Sequence, residues 1–324
     1  MTRESLEAAL RNHADAATSS HSAGDTHTSR TRKRRNWTPY FFMAPAVAYL
    51  AVFMLVPLAR GIQLSFTKTA LVNPGGGKFI GVENYATVMS SGQFWNSLMA
   101  TILYTTGTVV FSLLIGTILA VLINRPFRGR AVLRAVLTFP YAVPTVAVAL
   151  IFIWIFNQSS GVLNSTIGAL GIGQVGWLTD PAFGMFSVTL TTVWKVFPFV
   201  MLVVLAALQS VPEELFEATR IDGADGISTF RAIVLPHILP TLRIVALLMT
   251  IWSIRRFEII YLLTGGGPVE STNTLVINIY REAFSNQNLG IAATIGVLGL
   301  VLSLLVTTVF FLVERREIRR EEFA

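Results

Sequence analysis

No cysteine occurs in the 324 residues, so neither a disulfide framework nor a thiolate metal site can form, and thiol redox chemistry is excluded. Charge is scarce too: 13% of residues are Asp, Glu, Lys or Arg, where a soluble domain carries about a quarter. The apolar stretches lack the strict alternation of a transmembrane barrel, and no internal repeat is visible. The glycine run Gly265-Gly-Gly-Pro268 lacks the Lys-Ser/Thr of a phosphate-cradling loop, so this chain is not expected to hydrolyse ATP. What is abundant is apolar surface, with 53% hydrophobic residues and a mean hydropathy of +0.61. The net charge of +7 does not point to nucleic acid, because the basic residues are placed beside apolar runs.

Residues 1–36 are rich in Ser, Thr, Ala and His and are expected to be disordered, ending in the basic run Arg30-Thr-Arg-Lys-Arg-Arg35. The following apolar run is too long for a signal peptide and no small-residue cleavage site follows, so it reads as a retained first span. His13, His21 and His27 lie in that tail without a helix to align them, and no metal site is expected. Six apolar segments, at 41–61, 97–123, 132–156, 183–208, 242–263 and 289–313, each have about the length that crosses a bilayer. The expected fold is therefore all-α: a polytopic domain of six transmembrane helices over 37–316, with a short tail at 317–324. Eighteen Lys and Arg fall on the side of the two termini, the 124–134 connection and the 210–241 connection with Arg243 at its edge. The opposite side holds Arg60, Lys68, Lys78 and Arg281, so both termini and the 210–241 loop are expected to be cytoplasmic.

That loop carries the most organised polar sequence. Ser210-Val-Pro-Glu213 has capping-box spacing and predicts a helix start, Leu215 and Phe216 give the helix an apolar patch, and Asp222-Gly223 supplies a left-handed residue to end it. A second start at Ser228 is expected to carry Phe230, Ile233 and Val234 until Pro236 and Pro240 break the helix. The pattern E-A-x-x-x-D-G-A, followed by F-x-x-I-x-L-P-x-x-x-P, resembles the cytoplasmic loop of binding-protein-dependent ABC importer permeases. By that resemblance Glu217, Ala218, Asp222, Gly223 and Ala224 form a coupling helix that docks on the ATP-binding subunit; Thr219 replaces the usual second alanine.

Three further tracts are similar to the carbohydrate-type branch of that family: Phe79-Ile-Gly-Val-Glu-Asn-Tyr85, Gly161-Val-Leu-Asn164 and Leu263-Thr-Gly-Gly-Gly-Pro268. The resemblance covers about residues 40–315 and implies a type I ABC importer permease fold in a prokaryotic plasma (inner) membrane. It implies a second homologous permease, two ATP-binding subunits, an extracytoplasmic binding protein and a carbohydrate substrate as partners. ATP and magnesium would belong to the ATPase partner, with no cofactor and no catalytic residue in this chain.

Polar side chains within spans are costly and so mark function. Span four reads Thr191-Thr-Val-Trp-Lys-Val-Phe-Pro-Phe199, and Lys195 either faces a watery cavity or snorkels to the surface. Span five reads Trp252-Ser-Ile-Arg-Arg-Phe-Glu-Ile-Ile-Tyr261, similar to the family's W-S-x-N-x-F-D-x-x-Y tract beside the substrate path, with Arg255 in place of asparagine and Glu258 of aspartate. On a continuous helix Glu258 would lie about 8 Å inside the boundary, and Arg255 and Glu258 would pair along one face, with Arg256 pointing elsewhere. Thr192, Lys195, Phe199, Trp252, Ser253, Arg256 and Glu258 are the residues expected along the path. A neutral sugar, an anionic sugar or polyol phosphate, and an ion-coupled carrier using Glu258 or Lys195 all remain open on the residues alone.

Overall fold

The structure, a computed structural model, describes residues 38–171, 173–221 and 223–322. The expectations for the N-terminal tail and its histidines lie outside the described residues. The chain divides into two compact units, Met1–Leu55 and Val56–Ala324. In the first, the described residues form the opening apolar turns of helix α1 (Thr38–Ser65).

The second unit is built around helix α7 (Pro181–Leu208), which packs along α3 (Gly92–Asn124). The buried face of α3 carries Ser97, Thr101, Tyr104, Thr108, Ser112, Gly116 and Ala120 at intervals of three and four, a stripe of mostly small residues that lets two membrane helices approach closely. At Gly116 the approach is tightest: a Cβ there would lie 2.7 Å from Cβ of Val200. Val200, Met201 and Val204 of α7 join Ile238, Val245 and Met249 of α10 (Leu235–Ile254) in one core, while Tyr104, Val148, Val188 and Ile260 anchor a second.

Five of the expected spans appear as long apolar helices: α1, α3, α7, the continuous Gly226–Ile254, and α13, apolar over Leu289–Arg315 within Leu289–Glu322. The third does not. Instead of one helix over 132–156, α4 (Arg130–Ala142) and α5 (Thr145–Ile155) meet at a bend of 96°. Pro144 holds Val143 in extended backbone, φ −69° and ψ 134°, and cannot donate to the preceding turn, so the helix stops there.

The fifth span is also displaced. It opens at α9 (Gly226–Thr229), passes through a π-helical turn at Phe230–Val234 and continues as α10, so Pro236 and Pro240 do not end it. The wide turn passes Leu235 N–H back to the Phe230 carbonyl, shifting the backbone pairing just before Pro236, which has no N–H to donate. The helix stops at Ile254, and α11 (Glu258–Thr264) resumes after a three-residue break. The helical geometry expected for Arg255, Arg256 and Glu258 is therefore not the one adopted.

The connections at the other end of the bundle from residues 209–225 are held by the motif residues. Asn84, near the start of α2 (Glu83–Ser90), donates to the Ser65 and Thr67 carbonyls at 2.9 Å each, and the Tyr85 hydroxyl meets Ser65 Oγ at 2.7 Å. Asn164 of α6 (Val162–Ala169) donates to the carbonyls of Gln158 and Val175 and accepts from Val175 N–H and Trp177 Nε1. A hairpin of two short strands, β1 (Thr67–Lys68) and β2 (Lys78–Phe79), is the sheet found among the described residues, a small exception to an otherwise helical fold.

Candidate functional site

Two places bring the singled-out residues together. The first is the segment after α7. Helix α8 (Glu213–Ile221) begins with two carboxylates, Glu213 and Glu214, where the helix dipole favours negative charge. Ser210 is not its cap: the hydroxyl turns back to the Ala207 carbonyl at 2.7 Å and meets Nε2 of His237 at 3.2 Å. The helix ends as its sequence anticipates, with Gly223 at φ +69° and Ala224 N–H donated back to the Thr219 carbonyl at 3.0 Å. The next helix starts at Gly226, two residues before the expected Ser228. Asp225 is its cap, accepting from Ser228 N–H at 2.9 Å, and hydrogen bonding from Ser228 holds the Asp225 carboxyl below its usual range.

Phe216 and Phe230 pack this segment onto the core, whereas Leu215, Ile221 and Ile227 point outward, Ile221 with 86% of its surface exposed. A cleft of about 750 Å³ separates the segment from the end of α3, with Asn124, Arg125, Phe216, Glu217 and Ala224 among its walls. Glu217 and Ala224 are exposed, and space is open where a Gly223 side chain would project. Ala218 lies within α8, and Asp222 lies outside the described residues.

The second place is the break in span five. Trp252, Arg255, Arg256, Phe257 and Glu258 line an open cavity of about 420 Å³. Unwound backbone at membrane depth is tolerated where it lines a cavity, which is the situation here. Arg255 and Glu258 are exposed and form no ion pair, because the break removes the helical spacing that would bring them together. Nε of Arg256 is buried without a hydrogen-bond partner, and Ser253 Oγ beside it is likewise buried and unpartnered.

Span-four candidates divide. Phe199 reaches the same region, its ring 5.1 Å from that of Trp252 and 6.0 Å from that of Tyr141. Thr192 does not face open space: it is fully buried, bonded to Tyr104 OH at 2.9 Å and to the Val188 carbonyl. Lys195 is largely buried. Its Nζ donates to the Val143 carbonyl at 2.6 Å and the Tyr141 carbonyl at 3.4 Å, capping the end of α4 at the bend, and lies 5.9 Å from the Tyr141 ring centre. Tyr141 escaped the sequence reading, although the Pro140-Tyr-Ala-Val-Pro144 spacing signals a broken helix with free carbonyls.

A family model described as binding-protein-dependent transport system inner membrane component matches residues 112–319. The chain is 35% identical over 291 residues to a trehalose/maltose transport system permease protein of Thermococcus litoralis, covering 89% of this chain and 97% of that one. It is 35% identical over 273 residues to a sulfoquinovosyl glycerol transport system permease protein of Agrobacterium fabrum, covering 84% and 89%. A subunit of a bacterial alginate ABC transporter, solved with a pentasaccharide-bound periplasmic protein, superposes with a TM-score of 0.76 at 24% identity over 87% of this chain and 95% of that one.

Proposed function

This chain belongs to the family of binding-protein-dependent transport system inner membrane components, and we propose that it is the permease subunit of an ATP-driven importer of carbohydrate. The observation that carries the reading is the segment after α7, a short helix closed by left-handed Gly223 with Leu215, Ile221 and Ile227 exposed beside it. Apolar residues exposed together on one short polar segment support a docking surface. In this reading Glu217, Ala218, Asp222, Gly223 and Ala224 seat in the ATP-binding subunit, which holds the ATP and magnesium.

The transmembrane domain over 37–316 then forms half of the path, a second permease the other half, and an extracytoplasmic binding protein delivers the sugar. Both termini and the coupling loop are cytoplasmic in this arrangement, in a prokaryotic plasma membrane. Closure of the ATPases draws the coupling helices together and shifts the pair between inward and outward openings. Trp252, Ser253, Arg256, Glu258 and Phe199 meet the sugar at the break, aromatic faces against its C–H faces and charged groups against its hydroxyls. Lys195 and Thr192 support that wall from behind.

The test is uptake by the reconstituted complex, with its binding protein, of radiolabelled trehalose, maltose and a wider sugar panel. ATP-dependent accumulation of a sugar supports the reading; accumulation of none, with ATP hydrolysis indifferent to the loaded receptor, refutes it. One observation favours a narrower substrate class, an acidic sugar or polyol phosphate: Arg255 and Arg256 line the cavity with the single carboxylate of Glu258, and among the described residues neither arginine forms an ion pair.

A further inference from the structure

A file of four aromatic rings leads into the span-five break. Phe257 stacks on Tyr261 with ring centres 4.8 Å apart and an interplanar angle of 19°; Tyr280, at the end of α12 (Leu275–Tyr280), lies 5.1 Å from Phe257 and 4.9 Å from Tyr261; and Phe284 follows 5.0 Å beyond. One end of the file touches the core, where Phe257 packs partly buried against the cluster around Ile260, and the other end is open. Phe284 keeps 57% of its surface exposed and Tyr261 39%, and the two tyrosine hydroxyls contact each other at 3.4 Å with their edges open.

The two ends of the file say what it faces. At one end Phe257 is itself a wall of the cavity that holds Trp252, Arg255, Arg256 and Glu258. At the other, Phe284 adjoins Gln287 and Asn288, which are tied to the 66–91 connection through Leu71 N–H to the Gln287 carbonyl and the bridge between Ala70 and Asn288. The file thus runs from the receptor-side loops to a charged break. The exposed Val301, Leu304, Leu305 and Val309 of α13 are aliphatic and carry no hydroxyls. Rings with polar tips, continuous with charge, suit a wet surface that takes flat apolar faces, which is what a pyranose ring offers.

Resting on the carbohydrate-importer reading above, we propose that Phe284, Tyr280, Tyr261 and Phe257 form a stacking file for sugar rings. It guides the substrate from the receptor-side loops to Trp252 and Arg256 at the break. The file takes sugars by their faces and leaves the choice among hydroxyl patterns to the charged cavity.

Because the native chain has no cysteine, a single thiol reports on this surface without background from the chain itself. Tyr280→Cys and Phe284→Cys, each in the full complex in proteoliposomes, are reacted with a charged, membrane-impermeant maleimide, with Leu304→Cys in the apolar span α13 as the control. Both file positions are expected to label while the control does not. Trehalose or maltotriose, whichever the unmodified complex imports, should slow labelling about tenfold at ten times its dissociation constant, the protection that simple mass action gives. Failure to label, as for the control, means that lipid or the second permease covers the rings and overturns the proposal. So does labelling that an imported sugar does not slow. A complex that imports neither sugar nor any other carbohydrate overturns the importer reading first, and the file with it.

Discussion

Lys195 Nζ donates to the Val143 carbonyl at 2.6 Å, across 52 positions of sequence, and this contact ties the middle of α7 to the bend between α4 and α5. A bent span leaves carbonyls that its own helix cannot satisfy, and in a bilayer no water replaces the missing donor. The Lys195 charge therefore serves the free carbonyls of the bend.

Lys195→Met leaves the carbonyls of Val143 and Tyr141 without this donor. At about 1–3 kcal/mol for a buried polar group left unsatisfied, the variant should lose roughly 2 kcal/mol of stability. Thermal unfolding in detergent checks it; unchanged stability would show that water already satisfies the bend.

Gly116 allows α3 and α7 to meet at Val200. Gly116→Val sets a branched side chain where even a Cβ would lie 2.7 Å from Val200 Cβ, and neither helix can move without disturbing the small-residue stripe. Overpacking of this kind costs about 1–3 kcal/mol. Gly299→Val, where nothing lies within 4 Å, is the matched control and should be near neutral by the same unfolding measurement.

Asn164 makes four hydrogen bonds that hold the 157–180 connection. Asn164→Leu removes both donors and the acceptor together. Hydrogen exchange at Val175 and the residues around it should accelerate, by the loss of roughly 1 kcal/mol per bond, while exchange in α3 stays slow. Uniform acceleration across the molecule would contradict a local role.

The parts legible in the sequence are those decided by near neighbours. Gly223 ends α8 because its left-handed backbone returns the Ala224 N–H to the Thr219 carbonyl, and Asn84 and Asn164 stand in short helices whose glycine-containing tracts stand out in the sequence. What was not legible depends on distant partners. The bend at Val143 is stabilised by a lysine 52 residues later, and the passage of α10 through Pro236 depends on a π-helical turn that no local pattern announces. The pairing of Arg255 with Glu258 was inferred from an unbroken helix, and the break that cancels it also opens the cavity where both residues stand.

Arg256 separates the two substrate classes. Arg256→Gln should cost an anionic substrate several kcal/mol, the scale for leaving a charge unpaired in a desolvated site. For a neutral sugar the loss should stay near one hydrogen bond, about 1 kcal/mol. Uptake at limiting substrate measures the difference. Equal small losses for Arg255→Gln and Arg256→Gln would rule out the acidic class.

The coupling role proposed for the segment after α7 is tested most directly at Gly223. The backbone there is at φ +69°, where a side chain is strained, and the space beside it is open in this chain alone, so a substituent meets only the docked partner. The measurement is receptor-stimulated ATP hydrolysis together with sugar uptake by the reconstituted complex carrying Gly223→Asp. The account predicts that the variant inserts into the membrane normally but that both activities fall together, by tenfold or more if about 1.4 kcal/mol of docking is lost. Normal stimulated hydrolysis and normal uptake by that complex would contradict it.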